Sequence, residues 1–125
     1  MLALRATPIT MVAAPGAGKV LEFVSAVLFF DRAGAYTESA DNLAFKYENG
    51  SGQAASETIE TTGFVDAASD AVMPVKPVTS AVILTASCVN KALVLHNTGD
   101  GELGGGNASN EVVVKVVYRE HTTEF

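Results

Sequence analysis

Apolar residues in this chain come in short stretches that alternate with polar ones at every second position, and clusters of Gly, Pro, Asn and Asp separate the stretches. A period of two places successive side chains on opposite faces of a strand, so the pattern predicts β-structure. Ile9 to Ala14 is the first such stretch and ends in Pro15-Gly16-Ala17-Gly18, where Pro fixes φ and the glycines permit positive φ. Lys19 to Asp31 follows as a long β-branched and aromatic strand. Asn42 to Glu48 alternates without a break, with Leu43, Phe45 and Tyr47 on one face and Asn42, Ala44, Lys46 and Glu48 on the other. The Asn49-Gly50 pair after it is a hairpin signal, which makes Ser56 to Thr61 the returning strand.

Asp66 to Val72 is rich in Ala and predicts one short helical turn capped by Asp66, with Pro74 and Pro77 preventing its continuation. Thr79 to Ala86 and Lys91 to Asn97 predict two further strands. Thr98 to Asn110 carries five glycines and predicts a loop. Glu111 to Glu120 alternates again, placing Val112, Val114, Val116 and Tyr118 inward and Glu111, Lys115 and Arg119 outward. The expected architecture is one all-β domain over residues 1–125, an antiparallel sandwich or jelly-roll-like barrel of about seven to eight short strands. No repeat of solenoid or propeller length recurs.

The Val20 to Phe30 strand departs from the one-dry, one-wet pattern of an antiparallel sheet. Strict alternation puts Leu21, Phe23, Ser25, Val27 and Phe29 on one face and Val20, Glu22, Val24, Ala26, Leu28 and Phe30 on the other. The second half is therefore apolar on both sides. Either a loop or short helix of the same chain, such as Asp66 to Val72, covers the second face, or another protein does. On the second expectation Val24, Ala26, Leu28 and Phe30 form the centre of a protein contact, and Gly104, Gly105 and Gly106 belong to a loop that conforms to the partner.

Composition narrows the function. A net charge of −6 and eight Lys and Arg residues scattered singly argue against gripping a phosphate backbone or an anionic membrane surface. The longest apolar run, Val24 to Phe30, falls far short of the roughly 20 residues that span a bilayer. Met1 to Arg5 resembles the start of a signal peptide, but Arg5 and Pro8 interrupt the apolar stretch, so synthesis in the cytoplasm without a cleaved leader is expected. Cys88 is the single cysteine, which excludes an internal disulfide and suits a buried small hydrophobe.

No constellation of reactive residues survives a geometric test. Ala13 to Val20 ends in Gly18-Lys19 like a phosphate-binding loop, yet Ala13 replaces the first glycine, Val20 replaces the hydroxyl that would hold magnesium, and a strand follows instead of a helix. Thr98 to Glu102 hints at a calcium loop, but His96 and Asn107 stand where carboxylates belong. His96 and His121 have no metal-ligand spacing with other donors, and Cys88 has only Lys91 nearby to stabilise a thiolate. Glu57 and Glu60, three apart on a strand, point to opposite faces. The chain is accordingly expected to be no enzyme and to need no cofactor, metal or nucleic acid. A carbohydrate-binding module is an alternative for any all-β domain, but Trp is absent and two of three tyrosines fall on inward faces.

Several segments together resemble the capsid cement, or decoration, proteins of tailed bacteriophages. They are Leu4-Arg5-Ala6-Thr7-Pro8-Ile9-Thr10, Ala14 to Val20, Ala35-Tyr36-Thr37, Asn42 to Tyr47 with Asn49-Gly50, and Val113 to Arg119. The resemblance implies a jelly-roll-like fold, symmetric homo-oligomers, and a place on the outer capsid surface of the virion. There the protein would bind the major capsid protein and staple neighbouring capsomers. A tail or baseplate attachment domain is the alternative that shares the fold.

Overall fold

The computed structural model describes residues 3–37, 42–79 and 82–125. In chain order the strands are β1 (Ile9–Val12), β2 (Lys19–Asp31), β3 (Tyr36–Thr37), β4 (Asn42–Tyr47), β5 (Ile59–Glu60) and β6 (Ala71–Val75). A helical turn α1 (Thr85–Cys88) then precedes β7 (Leu93–Asn97), β8 (Gly104–Gly105) and β9 (Glu111–Thr122). One sheet has the order β1-β7-β4-β5 and a second the order β6-β2-β9, with every pairing antiparallel. The chain passes repeatedly between the two sheets, which pack as a sandwich and do not close into a barrel. A two-stranded ribbon of β3 and β8 sits beside them.

Facing side chains join the sheets. Phe23 of β2 and Phe45 of β4 bring their ring centroids to 4.9 Å, and Phe30 meets Tyr36 and Phe64, each at 5.9 Å. The Tyr47 hydroxyl donates to the Leu21 carbonyl across the sandwich at 2.6 Å. Burial pushes the Tyr47 phenol up to about 12, because the phenolate would form in an apolar setting. All of β7 is buried, as suits a strand with neighbours on both sides in the middle of its sheet.

Four local expectations need correction. Asp66 to Val72 is no helix: Ala71 and Val72 begin β6, which pairs with β2 and tolerates Pro74 because that strand lies at a sheet edge. Thr79 to Ala86 is no strand in its described part, since Val82 and Leu84 stand 89% and 70% exposed and Thr85 already starts the helical turn; Ser80 and Ala81 lie outside the described residues. The 98–110 loop contributes Gly104 and Gly105 to the ribbon with Tyr36 and Thr37. In the turn after β4, Glu48 takes the left-handed conformation (φ 71°), and Gly52 is the residue for which a Cβ would overlap the Tyr47 carbonyl. The returning strand shrinks to Ile59 and Glu60, with Ala54 forming one bridge to Lys46.

Two measurements check this core. Leu28 is fully buried, so Leu28→Ala should cost about 2–5 kcal/mol in chemical denaturation, and Leu28→Asp should unfold the domain. For Tyr47 the folded phenol is held above its ordinary value near 10. Its contribution is therefore complete below about pH 10 and is lost as pH rises towards about 12. Tyr47→Phe should flatten this part of the alkaline stability profile, read by denaturation at a series of pH values.

Candidate docking face

The feature that organises the β6-β2-β9 sheet is an extra residue in β2. Phe23 pairs with Tyr118 and Ser25 with Val117, so Val24 has no opposite number and forms a bulge. Before the bulge Leu21 and Phe23 face the core; after it Ala26, Leu28 and Phe30 do. The two stretches belong to opposite faces under strict alternation, and the bulge puts them on one.

This places the residues expected at a protein contact. Ala26, Leu28 and Phe30 are interior, at 1%, 0% and 1% exposure, so they touch no partner. Val24 is half-buried at the bulge. Gly104, Gly105 and Gly106 are exposed and lie against Tyr36 and Thr37, on a different part of the molecule.

The outward residues after the bulge are Val27 and Phe29. Cross-strand pairing surrounds them with like-facing neighbours: Pro74 and Lys115 flank Val27, Val72 and Val113 flank Phe29, and Val117 lies beside Ser25. Phe29, Val72, Val113 and Val117 are exposed, and the Lys115 ammonium stands 5.3 Å from the Phe29 ring centroid. The face is thus apolar, with one cation over its aromatic residue. At one end a concavity of about 330 Å³ has Phe29, Val72 and Val113 on its walls and Asp31, Asp70 and Glu111 among its lining. Asp31 and Glu111 are direct cross-strand partners, and Asp70 accepts from the Arg32 amide at 2.9 Å. Like charges placed opposite each other favour a cationic group between them. Among the described residues Phe29, Val72, Val113 and Val117 stay uncovered, and the end of the segment expected to cover them, Ala71 and Val72, instead extends the sheet sideways in β6. Alternation in β9 already carried half of the signal: Val113 and Val117 share the parity of Lys115. The bulge in β2 carried the other half and left no mark in the sequence.

Most of the remaining chemical candidates are occupied structurally. Lys19 forms an ion pair with Glu120 at 3.0 Å, and the residues before it run from a turn directly into β2. In the 98–110 segment Glu102 accepts from the backbone amides of Arg5 and Ala6 at 3.0 and 2.6 Å. His121 and Arg119 both reach Glu22, at 2.7 and 3.3 Å; the His121 hydrogen bond is the main reason that carboxyl is held below its usual range. His96 is the exception: it is buried in β7, its Nδ1 has no hydrogen-bond partner among the described residues, and desolvation followed by the nearby Lys46 lowers its pKa. Cys88 is buried at the end of α1, with its Sγ 3.6 Å from the Leu84 and Thr85 carbonyls, and desolvation pushes its pKa up. Among the described residues no three His, Cys, Asp or Glu side chains gather as metal ligands would.

No family model, curated protein or solved structure matches the chain.

A buried thiol with a raised pKa is a poor nucleophile. Cys88 in the native protein should therefore react with an aromatic disulfide reagent orders of magnitude more slowly than in denaturant. Equal rates in the two states would contradict this placement.

Proposed function

We propose that this chain is a structural protein of a tailed-bacteriophage head that binds the outer surface of the capsid and bridges neighbouring capsomers. The observation that carries the reading is the uncovered apolar face of the β6-β2-β9 sheet, centred on Phe29. Exposed apolar patches on soluble domains mark contacts with other proteins, and this one is built on regular strands that hold it rigid. The segments that resemble capsid cement proteins support the choice of partner, and the net charge of −6 suits a position outside a shell, away from packaged DNA. The sheet offers the capsid protein apolar contacts around Phe29, Val72 and Val113 and, at the acidic end, a place for a basic side chain. No catalytic step, cofactor or nucleic acid enters this role.

Co-sedimentation tests it. Purified protein mixed with undecorated phage heads should pellet with them. Phe29→Asp and Val113→Asp should weaken that association by roughly 30-fold or more, as expected for the centre of an interface, while thermal unfolding stays near wild type. Binding that is indifferent to both changes would reject this face. Sedimentation with tails and not heads would assign the protein to a tail or baseplate.

A further inference from the structure

Strand β9 is an open edge. It pairs with β2 along its whole length, and no backbone hydrogen bond among the described residues reaches its other side. The opposite edge of the same sheet, β6, is five residues long and carries Pro74, which has no N–H to donate. In the other sheet the edges β1 and β5 have four and two residues. By contrast β9 runs for 12 residues with neither Pro nor Gly. Native sheets protect such edges or use them for pairing.

The backbone phase of this edge follows from one hydrogen bond. Thr123 donates to the Gly18 carbonyl at 2.9 Å, so the odd-numbered residues of β9 turn their N–H and C=O towards β2. Val112, Val114, Val116, Tyr118 and Glu120 then direct theirs to the open side. Their side chains lie on the inner face of the sheet. At its C-terminal half that face overhangs the core: Tyr118, opposite buried Phe23, is 46% exposed where alternation predicts an inward residue.

We propose that β9 pairs antiparallel with β9 of a second copy across a twofold axis at Val116, which joins two three-stranded sheets into one of six strands. Overlap and charge together select the register: axes at Val116 and Val117 keep the longest self-pairing along β9, and of these two only the second sets like charges opposite each other. An axis at Lys115 shortens the pairing and sets two lysines opposite each other at its centre, and an axis at Val117 sets Lys115 opposite Arg119 twice. An axis at Val116 opposes Glu111 to His121, Lys115 to Val117 and Val113 to Arg119 on the outer face. On the inner face it opposes Val114 to Tyr118 and Val116 to itself. No like charges meet, and about ten backbone hydrogen bonds form along the edge. A closed twofold contact of this kind uses the same patch on both copies and leaves no free edge to propagate. It does not rest on the capsid reading, because neither the partner nor Phe29 takes part.

Sedimentation equilibrium provides the test, with Val117 as the probe since it is 56% exposed in the single chain. The wild type should have twice the 12.9 kDa mass of one chain. Val117→Lys places Lys opposite Lys115 at two symmetric positions and should weaken dimerisation on the order of tenfold. Adding Lys115→Glu to it should restore the dimer, because each new Lys then faces a Glu. Amide exchange at Val114, Val116 and Tyr118 should slow as concentration rises through the dissociation constant. A wild type that remains monomeric up to about 0.5 mM, a range that covers weak association, would overturn the proposal. So would a dimer indifferent to Val117→Lys, a Val117→Lys defect that Lys115→Glu does not rescue, or a dimer abolished by Phe29→Asp, which would indicate face-to-face contact.

Discussion

The bulge at Val24 is the constraint on which the rest of the molecule depends. A 13-residue strand that is apolar at every position from Ala26 to Phe30 has no self-evident inside there. One unpaired residue places Leu21, Phe23, Ala26, Leu28 and Phe30 together on the core side, and by the same act turns Val27 and Phe29 outward. A strict ladder through this region would bury Ser25 beside Phe23 and leave Leu28 and Phe30 outside. Either parity buries large apolar groups, since Val27 and Phe29 are apolar too, so the choice lies in the fit to the facing side chains, where Phe23 packs on Phe45 and Phe30 on Phe64. The core therefore dictates the bulge, and the outward apolar face is its consequence.

Around that strand the two edges of the sheet differ in chemistry. β6 is short and blunted by Pro74, whereas β9 is long, regular and charged only at intervals. The outer face adds a second asymmetry, with Lys115 over Phe29 at its middle and the Asp31, Asp70 and Glu111 carboxylates at one end. Face and edge adjoin at Val113 and Val117, so pairing through the edge would bring two copies of the apolar face into one surface. Elsewhere the thiol of Cys88 is buried, His96 is desolvated, and the Glu102 carboxylate accepts from the backbone amides of Arg5 and Ala6.

Strand identity was largely legible in the sequence. β2 spans the residues that its β-branched and aromatic run marks out, and β1, β4, β7 and β9 fall within or almost within their predicted stretches, because period-two alternation is a direct imprint of a half-buried sheet. Where the signal was local composition without alternation, it failed. The Ala-rich Asp66 to Val72 segment entered a sheet at Ala71, since an edge position beside β2 outweighs weak helix propensity. The Val82 to Leu84 stretch, apolar but unpaired, found no strand to join.

By itself the sequence determined the all-β class, the main strands, the single thiol, the acidic balance and the presence of a strand apolar on both sides, because each of these follows from residue type and spacing. Only the tertiary structure decided which of those two sides meets solvent. That choice rests on a single bulged residue, whose position is set by cross-strand register with β9 and by the packing of Phe23 on Phe45 and Phe30 on Phe64. Neither relation joins residues close in the chain, so alternation along β2 carries no trace of it. A shift of one residue reverses inside and outside, and this is why Ala26, Leu28 and Phe30 form the core while Val27 and Phe29 form the surface.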